Sequence, residues 1–224
     1  MLEVIVTSLD EAIEAELGGA DRLELVRSLE SGGFTPSAEL VRKVVESVSI
    51  PVRVMLRENA SMSIGGPAEI STLGSRARTL AALPIDGLVL GFLNNGRVDL
   101  NVTKEVLAEA PNCRGTFHRA FDSVRDPLQA LQELQQLPQI DRVLTSGGEG
   151  SWLERKTRLL EWKRAAAPSI KILVAAGLCA SSLAERGEDF SQIEVHVGRA
   201  ARVPQITSGA VSREQIASLK RLLE

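Results

Sequence analysis

Eight short β-type segments, each followed by a helical pattern, run through the chain in unbroken alternation, and this limits the fold more than any other feature. The strand-like segments are Leu2–Val6, Arg22–Leu25, Val52–Arg57, Gly87–Leu90, Arg114–His118, Arg142–Thr145, Ile170–Ala175 and Ile193–Val197. Helical patterns follow at Leu9–Leu17, Ser37 to about Ser47, Ala68–Leu83, Asn101–Ala110, Pro127–Leu137, Trp152–Ala166, a short stretch near Ser181–Arg186, and Ser212–Leu223. Strand–helix–strand crossovers join parallel neighbours, so the pattern predicts a parallel sheet. Eight units without a linker or a break in composition predict one closed (β/α)8 barrel, the TIM barrel, as a single domain over residues 1–224. An open doubly wound sheet is the alternative, but the first strand–helix turn lacks the Gly-x-Gly-x-x-Gly phosphate loop that such sheets carry.

Parallel strands covered on both faces normally read as continuous aliphatic runs. These do not. One parity carries Glu3, Arg22, Glu24, Arg53, Met55, Arg57, Arg114, Thr116, His118, Arg142, Leu144, Ser146, Lys171, Leu173, Ala175, Glu194 and His196. The other carries Leu2, Val4, Val6, Leu23, Leu25, Val52, Val54, Leu56, Val143, Ile172, Val174, Ile193 and Val195. Successive side chains on a strand point to opposite faces, so the apolar set faces the helices and the charged set faces the barrel axis. Buried charges persist only when paired and hydrogen-bonded. Arg22, Arg53, Arg114, Arg142 and Lys171 lie at strand starts, where barrels keep their stability residues, and read as an ion-pair plug. Glu24, Arg57, His118, Ser146 and His196 lie at strand ends and converge on the C-terminal mouth, where barrel active sites lie.

The chain has two histidines, and both end strands on the inward face. His118 sits in the stretch Gly115–Asp122, beside Arg119 and just before Asp122. Glu24, His118 and His196 are the candidate catalytic groups, carboxyl and imidazole being the usual carriers of protons. Arg57 and Arg119 have the forked geometry that grips an anion with two hydrogen bonds; Arg119 and Asp122 equally suit a structural pair. Ser146 and Gly147 after the sixth strand, Gly177 after the seventh and Gly198 after the eighth offer backbone N–H groups where barrels often hold phosphate. His118, His196 and Glu24 equally suit a borderline metal such as zinc or copper(II), so the metal stays unknown here. The ligand is a small anion or a metal ion.

A net charge of −3, with aromatics at 3% and no tyrosine, gives no reason to expect nucleic acid. No apolar run approaches the roughly 18 residues of a membrane helix. Met1–Val6, with an acid at Glu3 and no preceding base, reads as a strand and not a signal peptide. Two cysteines in 224 residues do not make a disulfide scaffold, and a reducing cytoplasm is the expected location.

Several strings resemble the CutC copper homeostasis family: LEV at Leu2–Val4, GGADRLEL at Gly18–Leu25, GGFTP at Gly32–Pro36, VMLR at Val54–Arg57, TFHRAFD at Thr116–Asp122, RVLTSG at Arg142–Gly147 and EVH at Glu194–His196. They run in the family's order from residue 1 to about 198. The resemblance implies a cytoplasmic TIM barrel, a homodimer or higher homo-oligomer, and copper homeostasis with copper as the bound ion. It also marks departures. Family members commonly carry cysteines in the first strand and after the Glu-Leu of the second, where this chain has Ile5 and Val26. The usual Arg-Pro-Arg is Arg57-Glu58-Asn59, and the usual His-x-Ser is His196-Val197-Gly198. Copper(I) favours thiolate and thioether, and Cys113 and Cys179 belong to opposite ends of the expected barrel. Two functions follow: a copper-handling protein without turnover, or an enzyme acting by acid–base chemistry on a small, for instance phosphorylated, anion. A purely structural scaffold ranks third.

Overall fold

In a computed structural model of the chain, which describes residues 1–175, 190 and 193–223, the eight expected strands form a closed barrel. They are β1 (Leu2–Val6), β2 (Arg22–Leu25), β3 (Val52–Met55), β4 (Gly87–Leu90), β5 (Arg114–Phe117), β6 (Ile140–Thr145), β7 (Lys171–Val174) and β8 (Glu194–Val197). Each pairs in parallel with its sequence neighbours, and β8 pairs with β1 to close the ring. Helices α1 (Leu9–Leu17), α2 (Ala38–Ser47), α3 (Pro67–Ala81), α4 (Leu100–Ala108), α5 (Pro127–Leu134), α6 (Trp152–Ala166) and α7 (Arg213–Arg221) surround it. The helix expected near Ser181–Arg186 lies outside the described residues.

Polar caps fix where these helices begin. Ser8, Ser37, Asp99, Asp126 and Ser212 each accept a hydrogen bond from a backbone N–H three residues on. Ser151 and Glu154 form a reciprocal capping box at the head of α6. The outward parity behaves as expected: Leu2, Val4, Val6, Leu23, Leu25, Val54, Leu88, Leu90 and Val143 join the core between sheet and helices.

Two short ribbons escaped the sequence reading. Leu93–Asn94 pairs with Arg97–Val98 around Asn95-Gly96, whose φ angles of 50° and 72° make the left-handed Asn-Gly turn suited to a two-residue hairpin. Arg202–Val203 pairs with Ala210–Val211 beyond β8. The third strand is also shorter than expected. After Met55 the chain turns to Thr35, which accepts the Arg57 N–H through its hydroxyl and donates its own backbone N–H to the Arg57 carbonyl.

The charged parity does fill the base of the barrel, but with a different membership. Arg22 donates to Glu3 at 2.5 Å and to Glu194 at 3.1 Å, and Arg142 donates to the same Glu194 at 2.6 Å. Arg53 is fully buried and meets Asp141 at 2.7 and 2.8 Å, Asp86 at 2.8 Å and the Thr116 hydroxyl at 2.6 Å. Arg114 and Lys171, expected in this plug, join it only at its exposed rim. Their side chains are 65% and 66% exposed and approach Asp141 and Glu194 only at 3.8 and 3.4 Å. Each is the first residue of its strand, and a long side chain at the rim can carry its charge out to water.

Two residues further along the strands the interior becomes apolar. Ile5, Val26, Met55 and Val89 form one inward cluster, and Leu144, Leu173 and Ala175 another. Ile5, Met55, Leu144 and Ala175 of these clusters reach the floor of the cavity at the mouth. Replacing Arg53 with alanine strands Asp86 and Asp141 without their shared cation, which costs about 3–5 kcal/mol. A urea midpoint for Arg53→Ala close to wild type would refute a structural role for this network.

Candidate functional site

The C-terminal mouth encloses a cavity of about 460 Å³ whose wall includes Glu24, Arg57, His118, Arg119, His196 and Gly198. His118 follows β5 directly, and its backbone N–H still bonds Leu90 of β4 at 2.8 Å. Its Nδ1 accepts from the Ala120 N–H at 3.2 Å and caps the 3-10 turn Arg119–Ser123. That bond leaves the ring proton on Nε2. Beside the ring lies Gly91, where an added Cβ would sit 2.5 Å from Nδ1, so only glycine admits the imidazole there. Burial, with Arg57 and Arg119 nearby, pushes the His118 pKa down to about 3, so the ring is neutral at physiological pH.

His196 has the opposite surroundings. Its Nδ1 lies 2.7 Å from Glu3 Oε1 and 3.3 Å from Glu24 Oε2. Burial disfavours the charged ring, but the bond to Glu3 and the two carboxylates outweigh it and raise the His196 pKa. Glu3 is buried too, yet the Arg22 charge and the His196 bond hold its pKa down at about 2. Glu24 feels the charges of His196 and Arg22 too, but they do not offset its burial and no hydrogen bond adds to them. Burial lifts its pKa to about 7, and its Oε2 is a buried oxygen without a hydrogen-bond partner. The 3.3 Å approach to His196 is therefore not a hydrogen bond.

Arg57 is a cation of the wall without a carboxylate partner among the described residues. It is 8% exposed and donates to the Gly32 carbonyl at 3.2 Å and the Ala60 carbonyl at 2.5 Å. Its carbon lies over the Phe34 ring, and its Nε is buried without a partner. Burial lowers its pKa.

The remaining expected residues divide. Arg119 reaches the wall but pairs with Asp122 at 2.9 Å, and Asp122 also accepts from Thr145 and from the Ser146 N–H. Gly198 lines the cavity; Ser146 and Gly147 do not. Ser146 lines a shallower hollow with Arg155 and Asp122, and its hydroxyl accepts from the Gly148 N–H. Gly147 has φ +84°, and a Cβ there would lie 2.9 Å from Leu159 of α6, so it serves the turn and the packing of that helix. Gly177 lies outside the described residues. Glu3, Met55, Met62 and Arg199 were not singled out for the site in the sequence; three of them line the cavity and Glu3 bonds His196. The Glu3–His196 partnership follows from the β1–β8 closure, which pairs those two residues.

Glu3, Glu24 and His196 offer three ligand atoms within 4.8 Å of one another, the spacing of a metal centre. The set does not fit one. Both Glu3 oxygens are engaged, by Arg22 and by His196, and the guanidinium at 2.5 Å repels a cation where it would bind. The two positions where the resemblance implies thiols are apolar here: Ile5 lines the cavity and Val26 is fully buried beside it.

The sequence model of the CutC family matches residues 1–201. The chain belongs to the CutC family. A copper homeostasis protein cutC homolog of Homo sapiens is 41% identical over 155 residues, spanning 69% of this chain and 56% of the human protein. A family protein CutC of Pasteurella multocida is 32% identical over 207 residues, 92% of this chain and 84% of that one. The crystal structure of CutC from Streptococcus agalactiae superposes with a TM-score of 0.79 at 22% identity, covering 88% of this chain and 97% of the other, a likeness of fold.

In this CutC chain the Glu24 pKa of about 7 lies above the ordinary 4.5. The folded protein therefore holds an extra proton between those values, so this contribution to stability is full below pH 4.5 and is lost as pH rises through 7. Glu24→Gln keeps the neutral shape at every pH. Relative to wild type it should gain on the order of 2–3 kcal/mol between pH 4 and pH 8 in urea melts. A difference that stays constant with pH would sink the assignment.

Proposed function

We propose that this CutC-family chain binds a small anionic ligand, such as a phosphorylated metabolite, at the barrel mouth and acts on it in the cytoplasm by acid–base chemistry. Arg57 carries the reading. A buried guanidinium without a counter-ion costs several kcal/mol, and such a cost is sustained where a ligand supplies the missing charge. Arg57 lines the cavity that also holds neutral His118 and near-neutral Glu24, and its Nε is buried without a partner. In that arrangement Arg57 holds the anion, the Nε2–H of His118 donates to it, and Glu24 gives or takes a proton at physiological pH, as a pKa of about 7 allows.

The melting temperature with and without inorganic phosphate or sulfate tests this. Wild type should be stabilised by the anion. Arg57→Ala should lose that response while its own stability changes little, because the Gly32 and Ala60 carbonyls can turn to water. Arg53→Ala should lose stability and keep the response. A wild type indifferent to anions refutes the proposal.

A second reading, binding of copper as cargo, draws on the names of the relatives and on the Met55 and Met62 thioethers in the cavity wall. Thioethers are donors that copper(I) accepts. With Ile5 and Val26 in the thiol positions, binding should be weak and independent of cysteine. In competition with a copper(I) chelator, a Cys113→Ala/Cys179→Ala double variant should match wild type. Tight binding that the double variant abolishes would overturn this.

A further inference from the structure

The base of the barrel and its mouth are joined at one residue. Arg142 bonds Glu194, Glu194 bonds Arg22, Arg22 bonds Glu3, and Glu3 bonds His196. Four of these five residues read as a structural plug, yet the fifth lines the cavity. We infer that Glu3 is a positioning residue for His196: it holds the Nδ1 proton, so that Nε2 is the nitrogen left to exchange a proton with a ligand.

This rests on the acid–base reading of the mouth. The geometry carries it independently. Glu3 Oε1 is 2.7 Å from Nδ1, whereas Glu24 Oε2 stands at 3.3 Å and makes no hydrogen bond. Arg22 takes the other Glu3 oxygen at 2.5 Å and keeps that carboxylate ionised and fixed. With Nδ1–H committed to Glu3, a cationic ring gives its Nε2 proton to a ligand oxygen and is left neutral, with Nδ1–H still in place. The reverse transfer restores the cation. The two carboxylates then have separate tasks, Glu3 to orient and Glu24 to titrate.

The groups that set the charge of His196 are Glu3 on β1, Arg22 and Glu24 on β2 and Glu194 on its own strand, with Arg57, His118 and Arg199 elsewhere in the cavity wall. From β7 comes Lys171, whose Nζ lies 3.4 Å from Glu194 at the rim; the inward Leu173 and, just beyond the strand, Ala175 do not titrate.

Because the chain has only two histidines, ring-nitrogen NMR resolves both, and His118 serves as an internal control. In wild type above the His196 midpoint, Nδ1 should be the protonated nitrogen and Nε2 the bare one. The opposite tautomer overturns the inference without any variant. Glu3→Gln should lower the His196 midpoint by about one pH unit or more, a tenfold loss of proton affinity, and should lower it further than Glu24→Gln does. A midpoint unmoved by Glu3→Gln, or moved more by Glu24→Gln, also overturns it. Inorganic phosphate is added last, as a separate probe. If it leaves the wild-type His118 signals unchanged the anion reading fails, while a protonated Nδ1 on His196 still supports the role of Glu3.

Discussion

Arg22 donates to Glu3 through one nitrogen and to Glu194 through another, and most of the interior follows from that fork. Charges far from water need partners of opposite sign within hydrogen-bond reach, or the cost of desolvation goes unmet. Each carboxylate here is shared: Glu194 between Arg22 and Arg142, Glu3 between Arg22 and His196. The sharing makes the signs alternate along a continuous path from the base of the barrel to the ligand cavity. A change anywhere on that path alters the field at His196. The ion-pair base and the cavity wall are therefore linked through a few bonds, although the apolar cluster of Ile5, Val26, Met55 and Val89 lies alongside.

Arg53 and Arg57 show where the division falls. They sit four residues apart, and strand alternation places both on the same face. Arg53 is fully buried and holds two aspartates and a threonine hydroxyl. Arg57 lies beyond the end of β3, meets two backbone carbonyls, and retains a buried nitrogen without a partner. Carbonyl oxygens carry partial charge and orient a guanidinium without neutralising it. A protein that needed Arg57 only for its fold would gain by placing a carboxylate beside it. Retaining the cation unpaired at the mouth favours a ligand that brings its own negative charge.

Much of the architecture was legible because it rests on local rules. Alternation of polarity assigned the inward and outward faces, and strand–helix alternation predicted the closed parallel barrel. What escaped depends on register and on the ends of elements. Arg114 and Lys171 share the inward parity and begin their strands as Arg22 does, yet they reach the network only from the exposed rim while Arg22 is buried in it, a difference that parity does not carry. Asp86 and Asp141 complete the Arg53 network from outside the inward set, so parity alone could not find them. Gly147 looked like a phosphate-loop glycine, yet the approach of Leu159 accounts for it. Glu3 was visible as an inward charge, but its partner His196 lies 193 residues away and is set by the closure of β1 on β8. Asn95-Gly96 was a readable hairpin signal for the first ribbon.

The residues that stand in place of the family's cysteines also shape the acid–base chemistry of the cavity. Ile5 is the register partner of Glu24 across β1 and β2, and Val26 lies two residues beyond Glu24 on the same face. Both exclude water from that carboxyl without offering it a donor. Burial is the largest influence on Glu24, and it is what brings the pKa to about 7. A thiol at either position would be a weak hydrogen-bond donor and, as thiolate, a soft metal ligand. An aliphatic side chain is neither. Ile5 and Val26 thus bring neither a thiol ligand to the barrel nor a hydrogen bond to the buried Glu24 Oε2, and the Glu24 pKa of about 7 goes with that apolar surrounding.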